Sequence, residues 1–183
     1  MITLRQNRVY QNLTNVASAD EPDLLTAGNG ANNMQSFLYY WKPQTVDEER
    51  DRGELLNHSA SEQFDRVQVG DHVWHATVRD GELSIIGRII VGHVVDQEGA
   101  ARLLGKKSDE LWARPHHIVA ETNTAEPIRE VRIPQLSASL RFEGPHDRLA
   151  VDNGKVSVFQ LRAMRTLTLG SAAELERAYV RTA

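Results

Sequence analysis

The residues of this chain that could do chemistry are aromatic and polar side chains in two apolar runs and in the loop between them. In chain order the candidates are Trp41, Lys42, Ser59, Ser61 and Trp74. Tryptophan rings stack on flat ligands such as nucleobases, and hydroxyls at the start of a helix offer hydrogen bonds to a base edge. These residues predict a pocket for a base. The alternative, that each tryptophan simply fills a core, stays open.

Sequence motifs for catalysis or for metal binding are missing from the chain. There is no cysteine, which removes disulfides, thiolate nucleophiles and cysteine zinc sites. No Walker loop, nucleophile elbow, HExxH or dinucleotide fingerprint occurs. His72 and His75 have a metal-like spacing, but on a strand residues i and i+3 point to opposite faces. The sequence therefore predicts a binding protein without cofactor or metal rather than an enzyme.

The charge distribution is uneven along the chain. The formal net charge is −4, whereas a protein that coats nucleic acid without specificity is basic. Acidic residues concentrate near positions 47–54, and basic residues follow later in the chain. One end of the fold is therefore predicted to be positive, and the alternative is scattered, solvated charge. The residues predicted to hold phosphates are Arg102, Lys106, Lys107, Arg162 and Arg165.

The hydrophobic pattern predicts an α+β fold, a small and partly closed β-barrel flanked by short helices. An aromatic strand over 36–41 ends at Pro43, because proline removes a ladder donor. Residues 72–78 and 83–95 form a hairpin around an Asp-Gly turn. Gly87 and Gly92 interrupt the second strand, which is typical of bulges in a sheet that curves onto itself.

Capping residues and apolar spacing place the remaining elements. Helices are predicted from Thr45 to about Gly53, over 59–67, over 97–104, over 156–164 and from Ser171 onward. Further strands are predicted over 116–121, 128–133 and 136–142.

Residues 1–35 are interpreted as an N-terminal arm and residues 36–183 as the domain. The arm has weak periodicity and a run rich in glycine and asparagine. No apolar run is long enough to span a membrane, and the N-terminus lacks the apolar stretch of a secretory signal. A cytoplasmic protein without a membrane partner is therefore expected.

Four short motifs, in order, resemble the EVE domain of the PUA-like superfamily, which is related to YTH and ASCH domains. They are YWKP at 40–43, VGDHVW at 69–74, IGRIIV at 86–91 and RTLT at 165–168 before a terminal helix. A polar helix and a loop with serine and asparagine separate the first two. The resemblance covers roughly residues 36–182.

The resemblance implies a partly closed barrel that binds nucleic acid, DNA more than RNA. It implies a flipped, modified base such as methylated cytosine in a pocket of Trp41, Lys42, the 59–61 loop and Trp74. It also implies the recognition part of a modification-dependent restriction system, with a separately encoded nuclease as partner. The alternative is a small ASCH-like nuclease or hydrolase acting on RNA or nucleosides, with Lys42 and His75 as candidate residues.

Overall fold

The structure of the chain is a computed structural model that describes residues 34–181. The predicted arm therefore lies outside the described residues, apart from its last two. Eleven strands are described: β1 Ser36–Tyr40, β2 Leu55–Leu56, β3 His58–Ala60, β4 His72–Arg79, β5 Glu82–Val95, β6 His117–Ala120, β7 Glu126–Pro127, β8 Val131–Arg132, β9 Val151–Asp152, β10 Lys155–Val156 and β11 Arg165–Thr166. The α-helices described are α1 Pro43–Asp51, α2 Gln97–Leu104, α3 Pro134–Ser137 and α4 Leu169–Arg181. Single 3-10 turns lie at Glu62–Arg66, Ser108–Glu110 and Val158–Leu161.

One seven-stranded sheet organises the described part of the chain. The strand order is β11-β1-β4-β5-β6-β3, and β8 pairs with β5 off this path. The β1–β4 pair is parallel, and the other ladders are antiparallel. The predicted α+β class is confirmed. Within residues 34–181, however, β3 and β11 end the order without pairing to each other, so hydrogen bonds close no barrel.

The two glycines of β5 lie where the ladders change register. The β4–β5 register shifts between His75 and Ala76, and the residue opposite His75 is Gly87, whose φ is 152°. The β5–β6 register shifts between Val91 and His93, that is, at Gly92. A Cβ on Gly92 would lie 2.7 Å from the Glu121 Cα, so the neighbouring backbone leaves no room for a side chain. The bulges predicted from the sequence are present.

Each face of the sheet packs into its own hydrophobic core, because side chains alternate along a strand. The first core contains Phe37, Val73 and Ile89. The second contains Trp74 and Leu83 and is covered by apolar residues of α4. Among residues 34–181, no helix is long and apolar enough to cross a bilayer.

Helix α2 has its predicted bounds, whereas α1 begins at Pro43, ahead of the predicted cap at Thr45, and its N-cap residue is Lys42. The carboxylate of Asp96 caps α2 by accepting from the Gly99 N–H at 2.7 Å. Gly105 ends the helix with φ 64°, the left-handed conformation that glycine favours at this position.

Three predicted elements are wrong, each because a pairing or a turn prevails over local spacing. Residues 136–142 form no strand, since α3 begins at Pro134, a residue suited to the first helical turn. Residues 156–164 form no α-helix, because Val156 pairs with Val151 in a short hairpin and a 3-10 turn follows. Ser59 opens no helix, because it pairs with Ile118 in β3.

Candidate nucleic-acid interface

Seven rings form a continuous array at one end of the sheet. Successive ring centroids lie between 4.8 and 5.8 Å apart. In order, the array contains Phe64, Tyr39, His75, Trp41, Trp112, His58 and His117. We call this set the ring array. The ring array contains residues of β1 and of β3, which β4, β5 and β6 separate in the strand order. The ends of β1 and β3 therefore lie close together.

Strand register places the central rings of the array. Tyr39 and His75 are partners in the parallel β1–β4 ladder, and Trp41 shares the face of Tyr39 at the end of β1. The Trp41 backbone N–H donates to the Ala76 carbonyl at 2.8 Å, which fixes the ring just beyond the strand. Trp112 comes from the loop after the 108–110 turn and contacts Trp41 edge to face at 5.4 Å.

Two clefts share the rings of Trp41 and Trp112, which form the wall between them. The Glu49 cleft has a volume of about 310 Å³, and its lining includes Glu49, Arg52, Glu54, Asn57, His58, Lys106 and Glu110. The Lys42 cleft has a volume of about 510 Å³, and its lining includes Tyr39, Tyr40, Lys42, Thr45, Ala60 and Arg114.

The cations of the Glu49 cleft are neutralised by carboxylates of the same cleft. Arg52 pairs with Glu49 at 2.9 Å, and Lys106 pairs with Glu54 at 2.9 Å. Burial raises the pKa of Glu49 because desolvation disfavours its charged form, although Arg52 acts in the opposite direction. Because the described lining holds three carboxylates and two cations, this cleft is polar and carries no net positive charge.

The Lys42 cleft has the opposite character. Lys42 is exposed, and the described residues that line this cleft include two cations and no carboxylate. Arg114 has one exposed acidic neighbour, Glu62, at 3.7 Å, and exposed pairs of this kind contribute little. The cleft therefore presents the positive charge of Lys42 and Arg114 beside aromatic rings.

Two histidines of the ring array form a hydrogen-bonded chain. Nε2 of His58 lies 2.8 Å from Nδ1 of His117, and Nε2 of His117 lies 2.9 Å from the Arg114 carbonyl oxygen. Burial, and to a smaller extent the neighbouring His117, lower the pKa of His58 to about 4. Burial also lowers the pKa of His117. Both rings are therefore neutral at pH 7.

His75 is the most enclosed member of the ring array. Its side chain is 0% exposed, and Nδ1 lies 3.2 Å from the Val73 carbonyl oxygen. Burial lowers its pKa to about 3, so the ring is neutral, and Nε2 has no hydrogen-bond partner in the described part of the chain. The His75 ring packs against the rings of Tyr39 and Trp41 and borders neither cleft.

The structure brings together three of the five residues predicted for the base pocket. Trp41 borders both clefts and Lys42 borders one. Ser61 borders a hollow next to Tyr39 and Arg114, where its hydroxyl accepts from the Gln63 N–H at 3.1 Å.

Ser59 and Trp74 lie away from the clefts, which corrects the expectation that they reach the same mouth. The Ser59 side chain is fully buried in β3, and its Oγ has no partner within residues 34–181. Trp74 is 1% exposed in the second core, where its ring contacts Tyr179 at 5.7 Å. The two-residue period of a strand puts Trp74 on the face opposite His75.

The five cations predicted to hold phosphates are dispersed rather than gathered on one face. Lys106 borders the Glu49 cleft but is paired with Glu54. Arg102 and Lys107 are exposed at the end of α2 and border neither cleft. Arg162 stacks on Phe159 at 4.1 Å, and Arg165 stacks on Phe142 at 3.9 Å.

The sequence indicates His58, in the loop of Asn57 to Ser61, as a polar residue at the pocket rim, but it does not indicate Glu49 or Arg114 as site residues. Each lies on a different element, and only the β3–β6 pairing and the loop after α2 bring them to the ring array. A search of the described residues finds no group of three or more acidic, histidine or cysteine side chains that could hold a metal ion.

Comparisons with known proteins find similarity in solved structures alone. No family model matches the sequence, and no curated protein matches it. The solved structures that are similar in part include the following two. The ASCH protein from Zymomonas mobilis shares 12% identity at a TM-score of 0.45, over 78% of this chain and 94% of that one. A hypothetical protein from Leishmania major shares 12% identity at a TM-score of 0.44, over 84% of this chain and 99% of that one.

The resemblance to the EVE domain stays a prediction after these comparisons. With TM-scores of 0.45 and 0.44, the similar structures carry no function to this chain.

Proposed function

We propose that the domain of residues 34–181 binds nucleic acid by taking one unstacked base into the Glu49 cleft and the adjoining phosphates onto the Lys42 cleft. The observation that carries the proposal is the placement of the ring array between these two clefts. Flat rings suit a base, a polar cleft with paired charges suits a base edge, and a cationic cleft suits phosphate.

The dimensions of the Glu49 cleft agree with a ligand of this size. Its volume of about 310 Å³ is at the lower end of the range of roughly 300–1,000 Å³ found for small-molecule sites. Trp112 is partly exposed and borders both clefts. Its ring can therefore contact a base in the Glu49 cleft while the sugar-phosphate backbone lies along the Lys42 cleft.

In duplex DNA the base would be extruded from the stack. Extrusion costs a few kcal/mol, which stacking and base-edge hydrogen bonds offset. The resemblance to the EVE domain makes a modified base such as methylated cytosine the first candidate, and methylation at C5 leaves the Watson–Crick edge free for hydrogen bonds in the cleft. We further propose that recognition serves a modification-dependent restriction system in which a separately encoded nuclease cuts.

The first experiment measures the affinity for labelled oligonucleotides that carry one unpaired cytosine, methylated or plain, at a stated salt concentration. Trp112→Ala should weaken binding roughly 5- to 150-fold, since stacking stabilises by about 1–3 kcal/mol per base. The matched control is Phe159→Ala, because Phe159 is 72% exposed and borders neither cleft. Equal losses in the two variants would contradict the proposal.

The second experiment tests the phosphate position through the salt dependence of binding. Lys42→Ala should reduce the slope of log affinity against log salt by about one, the effect of one lost phosphate contact. Lys155→Ala removes an exposed lysine of β10 and should leave the slope unchanged. An unchanged slope in Lys42→Ala would exclude Lys42 as the phosphate contact.

We propose binding without catalysis. Of the two residues considered for a hydrolase, Lys42 borders a cleft, but His75 is fully buried and supports other rings. The purified chain is therefore expected to leave RNA, plain DNA and methylated DNA intact. Cleavage by the purified chain that Lys42→Ala abolishes would support the hydrolase instead.

A further inference from the structure

The hydrogen-bonded chain from Arg114 to His58 fixes the position of each ring proton. A carbonyl oxygen can only accept, so Nε2 of His117 carries the hydrogen that it donates to Arg114. Nδ1 of a neutral His117 is then an acceptor, so Nε2 of His58 must be the donor of the 2.8 Å bond. A neutral imidazole has one hydrogen, and therefore Nδ1 of His58 has none.

Nδ1 of His58 is therefore a hydrogen-bond acceptor in the lining of the Glu49 cleft. His58 borders the cleft, and its side chain is bonded through Nε2 to His117, which leaves Nδ1 for a ligand. Within residues 34–181, Nδ1 is not one of the fully buried side-chain atoms without a partner. Of the cations in the lining, Arg52 is paired with Glu49 and Lys106 with Glu54. The hydrogen-bonding capacity that remains on His58 itself is that of an acceptor.

We propose that His58 is the specificity-determining residue of the Glu49 cleft and selects bases with an amino group at pyrimidine C4 or purine C6, cytosine and adenine, over their keto counterparts at that position, uracil and hypoxanthine. The inference rests on the proposed function and adds the class of base. An amino group donates to Nδ1 of His58. A keto oxygen at the same position would face a second acceptor, and both would lose their hydrogen bonds to water without replacement.

The direct test compares nucleosides that differ in this one group. The unaltered full chain is titrated at pH 7 with cytidine and uridine, then with adenosine and inosine, and binding is followed by tryptophan fluorescence. The amino member of each pair should bind on the order of ten-fold more tightly, the effect of one satisfied against one unsatisfied hydrogen bond. Equal affinities within both pairs would overturn the inference.

Two substitutions test whether the protonation of the His58 ring nitrogens sets the base preference or whether His58 has only a structural role. His117→Phe removes the acceptor that holds the His58 proton on Nε2, so His58 can present either nitrogen protonated. The preference should then shrink because uridine and inosine gain affinity. His58→Asn should act in the same direction, since its amide can offer an oxygen or an NH₂ group. A structural role would instead lower the affinity for both members of each pair.

A control and a spectroscopic measurement keep the inference testable even if His117→Phe does not fold. His146→Asn replaces an exposed histidine that borders neither cleft and should leave the preference unchanged. In the unaltered chain, ¹⁵N NMR distinguishes protonated from unprotonated ring nitrogens. It should find Nδ1 of His58 unprotonated at pH 7, and a protonated Nδ1 would overturn the inference.

The outcomes also distinguish this inference from the proposed function. If oligonucleotides bind through the ring array but amino and keto nucleosides bind equally, only the inference fails. If no nucleoside and no oligonucleotide binds while Nδ1 of His58 is unprotonated, the proposed function fails and the assignment of a base as ligand fails with it.

Discussion

Acidification should destabilise this fold well above the pH at which carboxylates titrate. His58 and His75 are neutral in the folded state, with pKa values lowered by burial to about 4 and about 3. In the unfolded chain a histidine has a pKa near 6.5. Below that value the unfolded state binds protons that the folded state does not, so stability is present above pH 6.5 and is lost as the pH falls toward the folded-state values.

The two lowered pKa values set the size of the effect. Between pH 6.5 and pH 5 each of the two histidines removes about 1.6 kcal/mol from the free energy of unfolding, or roughly 3 kcal/mol together. His117 acts in the same sense, because burial lowers its pKa as well. Glu49 acts in the opposite sense, because burial raises its pKa.

Urea unfolding of the unaltered chain and of His58→Asn across this pH range measures the effect. His58→Asn should lose about half as much stability on acidification as the unaltered chain, because one of the two neutral histidines is gone. His146→Asn, at an exposed position, should follow the unaltered chain. Equal pH slopes in His58→Asn and the unaltered chain would refute the reasoning about His58.

Four further substitutions test the fold around the site. Gly92→Ala should lower the free energy of unfolding by about 1–3 kcal/mol, because its Cβ would lie 2.7 Å from the Glu121 Cα. Gly170→Ala meets no atom within 4 Å, and thermal unfolding should find it neutral or slightly stabilising. Ser61→Ala should cost about 0.5–2 kcal/mol, because it removes the acceptor for the Gln63 N–H. Ser59→Ala removes a buried hydroxyl without a partner and should leave stability and oligonucleotide affinity nearly unchanged; a strong loss of affinity would place Ser59 in the site.

Local signals were sufficient for the elements whose ends are marked by backbone chemistry. Pro43 stops β1 and begins α1, and Gly105 ends α2 in the left-handed conformation. Gly87 and Gly92 revealed the bends of β5, since a strand interior seldom contains two glycines without a change of register.

Long-range pairing decided what the sequence could not. Ser59 lies in β3 because His58–Ala60 pairs with β6, almost sixty residues later. The same pairing brings His58 to His117 and so creates the hydrogen-bonded chain beside the Glu49 cleft. Trp74 shows the reverse case: its type suggested stacking on a ligand, but strand alternation sends it into the second core.

The central claim, a base held beside the ring array, is tested most directly by the indole N–H signals in an NMR titration with an oligonucleotide carrying one unpaired cytosine. The chain has three tryptophans, so each indole signal can be assigned by substitution. The signals of Trp41 and Trp112 should shift on binding, whereas that of Trp74, buried in the second core, should stay in place. A titration that moves the Trp74 signal alone, or none of the three, would contradict the claim.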